Sequence, residues 1–227
     1  MQLIPKLEIK SFSNIISFLN EEKVGRVASI DENGYPQIIP MNFLYVKNKN
    51  NQSDTQSDTK NFGSIYMHSY PIGEKIQNIK RNSRVGFEVD SYVCFLPSYY
   101  FHPTDASQAD TLYISVVIKG TASVIQDNDE KAIALNALMA KYQTEGGYES
   151  LSSNMGSVKE VAVLKVVPTD FRGKYKIGQH WIPKYRLHMA RNIVEREREA
   201  DAKRILKIMG IEMTEEGGLK VVKEPIM

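Results

Sequence analysis

Cysteine is nearly absent: Cys94 is the only one in 227 residues. A single thiol closes no disulfide within the chain and builds no cysteine-based metal site by itself, so a buried structural thiol is its expected role. An excess of one charge is lacking too. The 29 Lys and Arg face 27 Asp and Glu, leaving +2, and the bases are interspersed with acids. That balance offers no field to attract nucleic acid. No stretch approaches the ~18 consecutive apolar residues of a membrane span. The first ten residues, MQLIPKLEIK, lack the basic patch and apolar core of a secretory signal, so a cytoplasmic protein with no membrane partner is expected. The Gly-x-Gly-x-x-Gly fingerprint of a dinucleotide domain is missing. From Lys47 to Asn61 there is no apolar residue, and Gln52-Ser-Asp-Thr is repeated at once as Gln56-Ser-Asp-Thr. Such a segment cannot bury enough surface to offset its ordering entropy. Residues 47–61 are therefore expected to form a disordered hairpin insertion.

What is present is an ordinary globular composition, 42% hydrophobic and 25% charged, in a chain long enough to need no staple. Helical spacing begins at Ser13, with Ile15, Ile16, Phe18 and Leu19 on one face and Ser13 or Asn14 as cap. A strand from Val24 to Ile30 meets Asn33-Gly34, a strong hairpin signal, and returns from Pro36 to about Val46. A third strand, Gly63 to Ser69, leads into a helix from Pro71 to Arg81 with Ile72, Ile76 and Ile79 in phase. Val85 to Val89 makes a fourth strand, and Pro97 to Asp110 an irregular excursion. Leu112 to Ile125 is the fifth strand, with Gly120 expected at a bulge or bend. A helix from Asp129 to Tyr142, capped by Asp127 or Asn128, carries Ile133, Leu135, Leu138 and Met139. The sixth strand, Val158 to Val167, is expected to stop at Pro168. One long helix, Pro183 to Met209, ends the reading, with Glu199–Lys203 and Asp201–Arg204 pairs on its exposed face. The pattern is β-rich α+β, and two-residue periodicity with glycine bends favours a closed or partly closed barrel. The expected organisation is a domain over residues 1–175 and a helical extension over 176–227.

Two segments carry more information. Gly25-Arg-Val-Ala-Ser-Ile-Asp-Glu-Asn-Gly-Tyr-Pro-Gln-Ile-Ile-Pro-Met-Asn-Phe is followed by Tyr66-Met-His-Ser-Tyr-Pro-Ile-Gly-Glu-Lys-Ile-Gln-Asn-Ile-Lys-Arg-Asn-Ser-Arg-Val. With Ser115-Val-Val-Ile-Lys-Gly120 behind them, their order and spacing resemble the pyridoxamine 5′-phosphate-oxidase-like superfamily. Within it, the similarity is to the flavin-nucleotide-binding branch that includes the nitroimidazole-resistance reductases. The resemblance covers Phe18 to Tyr142 and reaches towards Lys174. It implies a six-stranded antiparallel split β-barrel with short flanking helices, which binds flavin mononucleotide (FMN) at a homodimer interface.

FMN presents a dianionic phosphate, a polar chain and a flat ring. The phosphate calls for Lys or Arg, hydroxyls and free N–H groups at a helix start. Lys75, Ser69 and His68 supply those groups around a Pro-Ile-Gly turn, and Arg26 is a further candidate. In the family's arrangement Ile39, Pro40, Met41 and Asn42 lie along the flavin ring, and Trp181 and Lys184 would contribute from the second chain. Each has a plain structural alternative: a solvated lysine, a strand-end imidazole, a solvent-facing arginine, core packing for Ile39 and Met41, a helix-docking tryptophan. No residue is marked as catalytic, because the flavin carries the redox chemistry. The Arg-x-Val-Leu-Leu-Lys strand of the true vitamin B6 oxidases is replaced by Ile39-Pro-Met-Asn-Phe, and Arg186-Leu-His-Met-Ala-Arg191 keeps little of their substrate clamp. The leading expectation is an FMN-dependent reductase or oxidase of a small molecule, with NAD(P)H as an available donor. The alternatives are a flavin carrier or sensor without turnover, or a haem-binding split barrel with His68, His102, His180 or His188 as axial ligand.

Overall fold

A computed structural model of the chain describes residues 4–48, 62–214 and 217–222. The expected disordered insertion, 47–61, lies almost wholly outside the described residues. The chain divides into two compact units, one comprising residues 10–89 and 116–172, the other 1–9, 90–115 and 173–227. Among the described residues no helix is long and apolar enough to cross a membrane.

The 10–89/116–172 unit holds helix α1 (Phe12–Glu21) and strands β1 (Val24–Ile30), β2 (Pro36–Asn42), β3 (Leu44–Val46) and β4 (Ser64–Ser69). It also holds helices α2 (Glu74–Arg81), α3 (Asn128–Tyr142) and α4 (Gly156–Glu160). Three longer strands, β5 (Arg84–Leu96), β6 (Asp110–Val124) and β7 (Ala162–Lys176), contribute residues to both units. One sheet runs in the order β2-β1-β5-β6-β7-β4-β3. The class is α+β as expected, with seven strands in the sheet rather than six. The extra strand arises because Pro36–Val46 is not continuous: at Phe43 the chain leaves β1 and passes to β4, pairing Leu44 with Tyr66. The two ends of the sheet order are thus consecutive in sequence, which is how this sheet closes.

Several expectations need correction. Ser11, not Ser13 or Asn14, caps α1, its hydroxyl accepting from the Asn14 amide at 3.4 Å. In the hairpin only Gly34 takes a positive φ, 87°, because the Asp31 carboxylate holds the Asn33 and Tyr35 amides in a wider turn. The second helix starts at Glu74 rather than Pro71, and Ile72 is exposed. On α3 Asp127 is the cap, as read, but Ile133 faces solvent and Ala132 and Ala134 are buried instead. Gly120 lies inside β6, where a Cβ would meet the Val167 carbonyl oxygen at 2.5 Å, so the close approach of β7 requires a glycine there. Val158 belongs to α4, and β7 passes through Pro168, since a missing N–H breaks only one rung.

The core of this unit is aromatic. Phe12, Phe62 and Phe171 meet at centroid distances of 4.9–5.5 Å, and Phe43 packs edge-on to Phe87 at 5.2 Å. The Lys141 ammonium stands 4.0 Å over the Phe43 ring and donates to the Leu19 carbonyl at 3.0 Å. Burial, reinforced by Lys23, lowers its pKa to about 8. The unfolded chain then holds this proton up to the ordinary lysine value of ~10.4 while the fold releases it near 8, so stability rises with pH across that window. The unfolding free energy of wild type minus that of Lys141→Met is expected to increase between pH 8 and 10; a flat difference would contradict the assignment.

The other unit holds 3-10 turns at Pro5–Leu7, Ser98–Tyr100 and Ala106–Gln108, helices α5 (Pro183–Arg196) and α6 (Glu199–Ile208), and the hairpin β8 (Ile211–Met213) with β9 (Leu219–Val221). The single helix expected from Pro183 to Met209 is two helices, broken at Glu197 and Arg198, both extended. The Glu199–Lys203 pair forms, whereas Asp201 pairs with Arg198 at 2.9 Å instead of Arg204. Arg204 donates to the Val93 carbonyl. Cys94 is buried, and burial pushes its thiol up to about 11, consistent with a structural role.

Candidate functional site

β2 is an edge strand, and that explains its two prolines: Pro36 and Pro40 lack the N–H that a second neighbour would require. Its residues alternate, with Gln37, Ile39 and Met41 half-buried and Ile38, Pro40 and Asn42 exposed. Ile38 is 61% exposed, unusual for an isoleucine in a strand. On β1, Arg26 lies opposite Pro40, and Arg26, Ala28 and Ile30 share the more open face as alternation predicts. Arg26 pairs with Glu88 at 3.1 Å, both side chains partly solvated.

β4 leads through Tyr70, Pro71, Ile72 and Gly73 into α2. Gly73 sits at φ 136°, a region closed to other residues, and its carbonyl accepts from the Ile76 and Gln77 amides. This turn opens α2, whose first amides carry partial positive charge, with only four residues between that helix and the end of β4. Lys75, in the first turn, is half-buried; its ammonium donates to the Met41 thioether at 3.4 Å. Burial lowers the Lys75 pKa. The structure thus brings Lys75 and Met41 together. His68 is exposed near the end of β4, opposite Val163, and Ser69 donates to the Tyr70 carbonyl at 2.8 Å.

Beneath this turn lies a network that sequence patterning did not single out. Asn78, 1% exposed, donates to Ser29 Oγ and Gln37 Oε1, both at 3.3 Å. Its own carbonyl oxygen accepts from Arg81 at 2.7 Å, and Arg81 also donates to the Ile30 carbonyl. The network ties α2 to the β1–β2 hairpin and so fixes Lys75 against β2. Its one signal in the sequence is an amide between Ile76 and Ile79 on the buried helix stripe.

Trp181 and Lys184 belong to the other unit. Trp181 is half-buried over Gly178, where an added Cβ would lie 2.7 Å from the ring, and it meets Tyr185 edge-on at 5.4 Å. Lys184 is exposed at the start of α5. Nearby, burial and the cations Lys6 and Lys176 hold His180 below the usual histidine value. His102 accepts from the Thr104 and Asp105 amides through Nδ1, which orders the 97–110 segment locally.

The family described as pyridoxamine 5′-phosphate oxidase matches residues 12–175. Among solved structures, one described as a 5-nitroimidazole antibiotic resistance protein from Bacteroides thetaiotaomicron is 25% identical, with TM-score 0.54 over 74% of this chain and 86% of that one. The flavocytochrome Anf3 from Azotobacter vinelandii aligns at TM-score 0.57 and 15% identity, over 75% of this chain and 69% of that one. A FAD and haem binding protein from Mycobacterium smegmatis aligns at 0.55 and 15%, over 74% and 73%. No curated protein matches the chain.

Proposed function

Because this chain belongs to the pyridoxamine 5′-phosphate oxidase family, we propose that it binds FMN and acts as a reductase or oxidase of a small molecule. One observation carries the reading: Lys75 is desolvated in the first turn of α2, beside the open edge strand β2. A lysine whose charged form is penalised by burial gains most from an incoming anion, and the helix start favours the same charge. The phosphate lies at Lys75, with Ser69 and His68 as further donors. Arg26 joins only by exchanging Glu88 for the phosphate. Ile39 and Met41, on the face of β2 that Lys75 meets, line the ring with apolar contact, and Pro40 and Asn42 contribute through their backbone at the open edge.

FMN has about 31 non-hydrogen atoms, and ~0.3 kcal/mol for each gives ~9 kcal/mol, a sub-micromolar dissociation constant. The flavin should therefore survive purification. When bound, it supplies the electron transfer between donor and substrate. The chain binds and orients it and shields one face. Without a dinucleotide fingerprint, NAD(P)H would enter the flavin cleft itself. The working form is a cytoplasmic homodimer.

The test is the absorbance of the purified protein, before and after FMN and then anaerobic NADPH. Flavin bands near ~370 and ~450 nm that NADPH bleaches are expected. Bands that neither NADPH nor NADH bleaches would make it a binder or assign another donor. A Soret band would turn the reading to haem, as in the FAD and haem binding protein from Mycobacterium smegmatis. No bound flavin and no response to excess FMN would refute it.

A further inference from the structure

We propose that Tyr142 is a positioning residue for the flavin: its hydroxyl holds open the last rung of the β1–β2 ladder and so fixes the ring-facing end of β2. The inference rests on the flavin reading above. The ladder runs from Ile30 opposite Pro36 to Val24 opposite Asn42. In antiparallel register the next rung would join Lys23 to Phe43. Instead the Tyr142 phenol stands in that rung. Its oxygen accepts from the Phe43 amide at 2.8 Å, and its proton lies between the Lys23 carbonyl at 2.6 Å and the Phe43 carbonyl at 3.0 Å. One hydroxyl thereby satisfies the main-chain groups that would otherwise zip together.

Phe43 is the residue at which the chain leaves β1 and joins β4, so the phenol acts at the corner where the sheet closes. Its ring side chain is fully buried against Phe87. Tyr142 itself is held by its helix: Asp127 caps the start of α3, and the Gln143 amide returns to the Met139 carbonyl at its end. Lys141, one residue earlier, is anchored to Leu19. Burial raises the Tyr142 pKa, which keeps the hydroxyl protonated and able to donate. Removing the oxygen leaves the part-buried N–H and C=O of Phe43 and the more open Lys23 carbonyl without this partner, or lets Lys23 and Phe43 pair directly. Either outcome moves Asn42 and Met41, the residues beside Lys75.

The test compares Tyr142→Phe with Leu138→Val, a buried change one turn earlier on α3 whose side chain can form no hydrogen bond to Lys23 or Phe43. Tyr142→Phe should weaken FMN and riboflavin equally, by about tenfold, and alter the visible circular dichroism of bound flavin. Leu138→Val, at a comparable loss in melting temperature, should leave both affinities and the dichroism at wild type. Wild-type affinities for both flavins in Tyr142→Phe would overturn the positioning role, as would an equal loss in Leu138→Val. A wild-type protein that binds neither flavin would overturn the flavin reading and this role together, and so is distinguishable from either.

Discussion

Lys75→Ala is expected to weaken FMN binding by about 10- to 100-fold while leaving riboflavin binding within about twofold. A hydrogen bond to a charged group contributes about 1.5–3 kcal/mol, and each ~1.4 kcal/mol is a factor of ten. That range applies because Lys75 is already half-buried and its ammonium is set against a thioether, a weak acceptor. Riboflavin lacks the phosphate, so it separates the loss of an ion pair from general damage to the turn. The pH profile supplies a second check. Binding needs the phosphate dianion, which protonates below pH ~6, and the lysine cation, whose pKa lies below its ordinary value. FMN affinity should therefore fall at both ends, and the alkaline limb should vanish in Lys75→Ala. Calorimetry with the two flavins decides it; an equal loss for both would remove the phosphate from Lys75.

Phe43→Ala is expected to cost about 3–5 kcal/mol of unfolding free energy, the range for emptying a buried phenylalanine site. Phe43 is 0% exposed, and its corner position lets its surroundings collapse little. The loss also removes the ring beneath Lys141, leaving a poorly solvated ammonium over a void. Phe43→Leu keeps most of the volume and should cost much less. Urea unfolding with unchanged m-values measures both. A Phe43→Ala loss below about 1 kcal/mol would mean that the corner is not a packed part of the core.

Local signals in the chain were legible where one element suffices to specify them. The β1–β2 hairpin followed from Asn33-Gly34 and from strict alternation between Arg26 and Ile30, and the α3 cap from Asp127. The Pro-Ile-Gly turn before α2 marked Lys75, which the structure places half-buried in the first turn of that helix. Length of elements was less legible. Pro168 reads as a stop, but a strand tolerates one missing donor, so β7 continues. Glu195 to Arg204 reads as one helix because every residue there except Asp201 is a strong helix former, yet the extended backbone at Glu197 and Arg198 interrupts it.

By itself the sequence determined the α+β class, the family and the order of the main strands and helices, because periodicity, turn chemistry and motif spacing are properties of neighbouring residues. Only the tertiary structure decided which of those residues meet. It set Lys75 on Met41, engaged Arg26 with Glu88, buried Asn78 between Ser29, Gln37 and Arg81, and placed the Tyr142 hydroxyl in the rung between Lys23 and Phe43. Tyr142 lies 99 residues from Phe43. No local pattern encodes a hydrogen bond across that separation; it exists because closing the sheet leaves backbone groups at the corner that a distant side chain must satisfy.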